Sequence, residues 1–256
     1  MLSAADAIVP DWPAPPGVRA LFTTRLGGVS VAPFDSFNLG DHVRDEPLAV
    51  AANRERLAGL TSPARPVFLQ QVHGTQVVQL TPDTADGTVA DACLASVPGV
   101  AATIMVADCL PVLFAHASGT AVAAAHAGWR GLVHGVLEAA ALALRDAAGE
   151  GDIMAWLGPC IGPKAFEVGA EVCEAFVSAD HEAAAHFWPL GEGKFLADLP
   201  ALARLRLRAV GITHVHGNDS SASWCTVTQP SHFFSHRRDA VDLGSTGRMA
   251  ACVWID

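Results

Sequence analysis

With 256 residues, of which 51% are hydrophobic, the chain can bury a sizeable core in one domain or two, which excludes an intrinsically disordered protein. A formal net charge of −10 leaves no basic face of the kind that neutralises a phosphate backbone, which excludes nucleic acid as a partner but not small anions held by local arginines. Apolar runs such as 100–106 and 121–125 fall far short of the roughly 20 residues of a membrane span, which excludes a transmembrane anchor of helical type.

At the N-terminus, Pro10, Pro13, Pro15 and Pro16 crowd the place where the apolar core of a secretion signal would sit, and no basic stretch precedes them. A cytoplasmic protein is expected. Residues 18–24 then read as a strand, 47–60 as a helix, and 66–72 and 75–80 as strands. The runs 100–106, 110–114 and 120–125 also read as strands. Their nearly unbroken apolar character predicts cover on both faces. The strongest helix is predicted over 131–148, with Val133, Leu137, Ala140 and Leu144 on one stripe and Gly149 as its stop.

Farther along, 170–178 and 199–210 read as helices, the second opened by Asp198 and Pro200 and closed by Gly211. Gly191-Glu192-Gly193-Lys194 reads as a surface loop, and 250–255 as a C-terminal strand tied into a sheet. No internal repeat or long linker divides the chain, so one domain spanning residues 1–256 is expected. The six cysteines form no C-x-x-C pair and are expected to be reduced thiols.

Three segments concentrate metal-ligand residue types: Gln70-Gln71-Val72-His73-Gly74, Ala107-Asp108-Cys109-Leu110-Pro111, and His126-Ala127-Gly128-Trp129-Arg130-Gly131. Each is read as lying where an apolar strand ends, a position that is rigid yet open on one side. Two imidazoles and a thiolate suit zinc, and three protein ligands leave a fourth position for water or substrate. Such an ion supplies Lewis acidity and acidifies water to near neutrality. The plainer reading stays open at this level: a histidine beside an apolar run is usually structural, a buried cysteine is usually a small hydrophobe, and separations of 36 and 17 residues form no compact ligand motif.

Longer blocks carry a resemblance. They are Phe22-Thr23-Thr24-Arg25, Gly27-Gly28-Val29-Ser30, Phe37-Asn38-Leu39-Gly40, the three segments above, Gly158-Pro159-Cys160-Ile161-Gly162-Pro163, Phe166-Glu167-Val168-Gly169, Phe233-Phe234-Ser235-His236-Arg237-Arg238-Asp239 and Thr246-Gly247-Arg248-Met249-Ala250. Taken in order over almost the whole chain, they resemble the laccase-domain or YfiH-like proteins, now described as purine nucleoside phosphorylases and formerly as polyphenol oxidases. The resemblance implies an α/β (α+β) fold, a layered α-β-β-α sandwich with mixed sheets. It implies zinc at His73, Cys109 and His126. It also implies phosphorolysis of adenosine, inosine, guanosine and methylthioadenosine, together with adenosine deamination. Two departures stand out: His236 replaces the tyrosine usual in the C-terminal motif, and Lys164-Ala165 stands where the family tends to carry cysteine.

For the remaining roles, Arg25 beside Gly27-Gly28 and Arg130 between Gly128 and Gly131 are candidate phosphate sites, the second helped by the dipole of the long helix. Plain tight turns and solvated arginines are the alternative. Asp91 is a candidate base or orienting residue, against an ordinary turn aspartate, and Asn38 a candidate for a sugar hydroxyl or the purine, against local capping. Three rivals remain. A copper oxidase is disfavoured because only His214-Val215-His216 has the paired H-x-H spacing. A metal-free cysteine hydrolase would use Cys109 with His126 as its base and Asp108 nearby, in the manner of the amidase role proposed for some relatives on a cell-wall precursor. A non-catalytic binding module would leave the ligand residues unexplained. The expected partners are a nucleoside and phosphate, and either a monomer or a homodimer fits.

Overall fold

In the computed structural model, which describes residues 7–256 apart from the side chain of Asp242, apolar strands dominate the first half of the chain and helices the second. The expectation that no leader precedes the fold rests partly on residues 1–6, outside those described. In chain order come β1 (Ala7–Ile8), β2 (Val18–Thr23), α1 (Pro47–Thr61), β3 (Arg65–Val67), β4 (Val77–Gln79), β5 (Ala92–Ala95), β6 (Val100–Val106), β7 (Leu110–His116) and β8 (Val122–Ala127). Next are α2 (Trp129–His134), α3 (Val136–Ala148), β9 (Ile153–Leu157), β10 (Glu167–Gly169), α4 (Ala170–Ala179), β11 (Phe187–Gly191) and β12 (Lys194–Ala197). The order closes with α5 (Leu199–Ala209), β13 (His214–Gly217), α6 (His236–Leu243) and β14 (Met249–Ile255).

Two mixed sheets form the centre. One has the order β1-β2-β14-β6-β3 and the other β13-β9-β7-β8-β5-β4, while β10-β12-β11 make a small antiparallel sheet beside them. The two-residue period of the strands assigns each face its work. Along β6, Val100, Ala102, Ile104 and Val106 enter the core between the large sheets, while Ala101 and Met105 pack with Leu57 of α1 and Phe37 and Leu39. Along β8, Val122 and Ala124 face that middle core and Ala123, Ala125 and Ala127 meet α3. Helix, sheet, sheet and helix therefore stack as an α-β-β-α sandwich, as expected. The small Ala side chains of β8 let Val136, Leu137, Ala140, Ala141 and Leu144 of α3 approach closely.

Some expectations change in detail. The helix predicted over 131–148 is two helices, because Gly135 takes φ +97 and its N–H caps α2 at Leu132 before α3 begins. Arg130 therefore sits on a six-residue helix, and the dipole support expected from one long helix is absent. The strand predicted over 66–72 ends at Val67, and the loop that follows carries His73. Gly191-Glu192-Gly193-Lys194 is the tight turn of the β11–β12 hairpin, with positive φ at both Glu192 and Gly193. All six cysteines are free thiols. Among the described residues no helix is long and apolar enough to cross a membrane.

Candidate metal centre

Parity decides where His126 points. It continues the Val122 and Ala124 face of β8, toward the layer between the two large sheets, at the last turn of strand before α2. Cys109 occupies the bend between β6 and β7, where the chain crosses from one sheet to the other. His73 comes from the loop after β3, not from a strand end, and it holds φ +60. Gln71 ties that loop down: its side-chain amide donates to Met105 O and accepts from Met105 N of β6, both at 2.8 Å. The ligand-type atoms of His73, Cys109 and His126 all lie within 4.8 Å of one another.

Asp91 is the knot of the arrangement. Fully buried, it accepts hydrogen bonds from the backbone N–H groups of Val72 (3.1 Å), His73 (2.8 Å) and Gly74 (2.7 Å), and from His126 Nδ1 at 2.9 Å. One carboxylate thus fixes both the loop of His73 and the ring of His126, and it leaves His126 Nε2 turned toward Cys109. Its contacts make it an orienting residue behind His126. Burial pushes the Asp91 carboxyl up, yet the bond from His126 and the N–H groups of Gly74 and Val72 hold it below its ordinary value.

Asp108 anchors the other side. In spite of φ +92, it is held by Thr226 Oγ1 (2.5 Å), Ser235 Oγ (3.1 Å) and the N–H of Arg237 (2.6 Å), and the carboxylate bonded to His126 is that of Asp91. It buttresses the Cys109 bend, a cost of about 1–3 kcal/mol in backbone strain offset by three hydrogen bonds. Gly128 supplies space: a Cβ there would stand 2.7 Å from His73 Cδ2 and 3.1 Å from Cys109 Sγ.

The electrostatics separate Cys109 from the other thiols. Burial pushes Cys93 and Cys252 up to about 12 and Cys160 well above the usual thiol range. Burial acts the same way on Cys109, but the charge and hydrogen bonds of His126 and His73 outweigh it and bring the thiol down to about 6. His126 responds in reverse: burial pulls it down, and Cys109 and Asp91 raise it to about 9.

These donors fit a tetrahedral ion. Bonds of about 2.3 Å to sulfur and 2.0–2.1 Å to imidazole nitrogen put neighbouring donors roughly 3.5 Å apart. Cys109 Sγ and His73 Nε2 are 3.7 Å apart, and the carboxylate behind His126 is the usual companion of a metal-bound imidazole. Among the described residues this is the one group of three or more such side chains close enough to share an ion.

The cluster floors a cleft of about 800 Å³, lined also by Asp41, His42, Arg54, Phe68, Arg130, His236 and Arg248. Arg130 lies over the Trp129 ring at 4.4 Å and lines this cleft. Arg25 lies elsewhere. It donates to Asp35 O (2.8 Å) and Pro230 O (3.0 Å), pairs with Asp35 and stacks on Phe234. Gly28 beside it leaves room for the backbone of Ser36, whose carbonyl oxygen lies 1.9 Å from where a Cβ would be. Asn38 is also outside: fully buried, it bonds Gly40, Asp45 and the N–H of Arg248 with all its capacity. Arg54, His42 and Arg248 are cleft residues that the sequence reading did not single out. For Arg248 the signal was present in the Thr246-Gly247-Arg248 block, which carried a resemblance without a role.

Comparison with known proteins places the chain among relatives. Residues 19–256 match the family described as multi-copper polyphenol oxidoreductase laccase. A Pseudomonas aeruginosa protein named a purine nucleoside phosphorylase is 53% identical over 97% of this chain and 98% of its own length. The Escherichia coli protein named purine nucleoside phosphorylase YfiH is 50% identical over 97% and 98%. Among solved structures, a Neisseria meningitidis protein superimposes with a TM-score of 0.89 at 46% identity, covering 98% of this chain and 99% of that one. YlmD from Geobacillus stearothermophilus also gives 0.89, at 31% identity and coverage of 100% and 98%.

Proposed function

The chain belongs to the family described as multi-copper polyphenol oxidoreductase laccase, and from that membership we propose that it is a zinc-dependent purine nucleoside phosphorylase of the cytoplasm. The ligands we assign to the ion are His73, Cys109 and His126. The observation that carries the reading is the cleft itself: one three-donor cluster at the floor of an arginine- and histidine-lined cavity, in a protein whose overall charge is negative. The names of the relatives supply the reaction class.

In phosphorolysis a phosphate oxygen forms a bond to C1′ of the ribose as the bond from C1′ to the purine nitrogen breaks. The electron pair leaves with the base, which takes up a proton. A zinc ion, when bound, supplies Lewis acidity at this point. The protein supplies the rest. Arginines of the cleft hold the incoming anion, Asp91 keeps His126 in one orientation, and the walls exclude bulk water, which strengthens each charge interaction within. Adenosine, inosine, guanosine and methylthioadenosine are the proposed substrates. Deamination of adenosine at the same site would add water at C6 and release ammonia.

A second reading draws on a specific observation. Cys109 with a thiol lowered to about 6, His126 beside it and Asp91 behind His126 form the sequence nucleophile, base and orienter of a metal-free cysteine hydrolase. The copper oxidase reading has less support, since the described residues offer one ligand cluster and not the several that a multicopper centre uses.

One experiment separates these. Elemental analysis is followed by incubation with adenosine or inosine, with and without phosphate. The expected result is one zinc per chain, ribose 1-phosphate formed only with phosphate, and loss of both metal and turnover in His73→Ala and Cys109→Ala. Turnover that persists after thorough chelation sinks the metalloenzyme reading in favour of the thiol mechanism, and base release indifferent to phosphate sinks phosphorolysis.

A further inference from the structure

We propose that the phosphate subsite of this cleft is built around Arg248, a residue held in a purpose-shaped seat immediately before β14, with Arg130 of α2 lining the same cleft. This deepens the phosphorylase reading and rests on it.

The seat is visible in three contacts. Asn38 Oδ1 accepts the N–H of Arg248 at 2.8 Å and that of Gly40 at 2.9 Å, which folds the 38–40 turn against the residue. Leu39 N donates to Arg248 O at 3.0 Å, so the turn grips the backbone from both sides. Gly40 has no side chain where one would collide: a Cβ would lie 2.8 Å from Arg248 Cγ. The Phe37-Asn38-Leu39-Gly40 block thus finds its purpose in fixing where one arginine leaves the sheet.

What the seat presents is a guanidinium only partly used. Nη1 donates to Thr246 O (2.9 Å) and Gly247 O (3.2 Å), whereas Nε and Nη2 have no hydrogen-bond partner among the described residues. Two adjacent N–H directions of one guanidinium, left open on a cleft wall, match two oxygens of a tetrahedral oxyanion. Arg130 likewise makes no hydrogen bond among the described residues and rests only on the Trp129 ring. Arg25 spends Nε and Nη1 on carbonyls and Nη2 on Asp35, whereas Arg54, also in the cleft, gives Nε to Leu39 O and has its charge paired with Asp41 at 3.2 Å, which leaves Arg248 and Arg130 as the cleft arginines without a carboxylate partner among the described residues. Because the seat holds the backbone of Arg248 and not its guanidinium, removing the head group leaves the turn in place.

The test is Arg248→Met, with Arg248→Lys as the conservative comparison, both in the zinc-loaded protein. Inorganic phosphate binding is measured by calorimetry without nucleoside, and KM is measured separately for phosphate and for adenosine. Arg248→Met is expected to raise the phosphate Kd and KM at least tenfold, to leave the adenosine KM within about twofold, and to keep one zinc per chain. Arg248→Lys is expected to recover part of the loss. Unchanged phosphate affinity overturns the proposal. So does loss of zinc in Arg248→Met, which would make the residue a support for Cys109. If wild-type turnover proves independent of phosphate, the phosphorylase reading fails by itself, while calorimetry still reports whether Arg248 holds the anion.

Discussion

Replacing Asp91 with asparagine tests the organisation of the centre more directly than removing a ligand. The carboxylate accepts four hydrogen bonds, two on each oxygen: His73 N and His126 Nδ1 on Oδ1, Val72 N and Gly74 N on Oδ2. Asparagine offers one oxygen and one NH2. Whichever way the amide turns, two donors then face another donor. Each charge-assisted bond lost in a buried site costs about 1.5–3 kcal/mol, so Asp91→Asn, which loses two, should lower stability by about 3–6 kcal/mol in denaturant unfolding. Loss of the orienting partner behind His126 should weaken metal binding by roughly 10–100-fold in competition with a chromophoric chelator. A variant whose unfolding free energy lies within about 0.5 kcal/mol of wild type, with metal affinity unchanged, would refute the view that this carboxylate organises both ligands.

Four further outcomes follow from the same geometry. Gly128→Ala, whose Cβ would press on His73 Cδ2 and Cys109 Sγ, should cut bound zinc well below one per chain with little change in circular dichroism. Arg25→Ala should destabilise the fold by about 1–3 kcal/mol through lost carbonyl bonds yet leave the phosphate KM unchanged, because Arg25 lies outside the cleft. In chelator-treated protein, alkylation of Cys109 by iodoacetamide should turn on near pH 6 and not near 9, and Cys109→Ser should abolish that fast phase. The same shifts set a stability window for the metal-free protein. The contribution of the depressed Cys109 thiol is complete above its ordinary value of 9.0 and lost as pH falls to about 6, whereas that of the raised His126 imidazole is complete below 6.5 and lost as pH rises to about 9; the two changes oppose each other, so the melting temperature should stay nearly level between these limits.

Much of the fold could be read directly from the chain. Strands β6, β7 and β8 are buried on both faces, and that physical demand writes itself as unbroken apolar runs. Helix α5 was legible at both ends, with Asp198 accepting from Ala201 N and Gly211 at φ +79. Strands β9 and β13 escaped notice because their parallel pairing joins residues about 60 apart, a contact no local pattern records. The break at Gly135 was hidden because the apolar stripe resumes on its far side. At the site, the three donor residues came from resemblance and the structure brings them together. What the chain could not disclose was the division of labour among arginines and polar residues. Arg25 beside two glycines imitates an anion nest, yet Gly28 serves the passage of Ser36, and Asn38 serves Arg248. Such assignments depend on which segments meet across 200 residues, information carried by packing alone.

The passage of the chain from β6 to β7 at Cys109 has a mechanical consequence. That bend joins two independently hydrogen-bonded sheets, and an ion held by Cys109 of the crossover, His126 of one sheet and His73 of a loop pinned to the other would act as a rivet through the laminate. Shear between the layers would then have to stretch the bonds to the ion. At a free metal concentration one hundred times its dissociation constant such a rivet would add about 2.7 kcal/mol against unfolding. Stripping it should soften the seam before it touches either sheet, and faster amide exchange should appear first along β6 and β7.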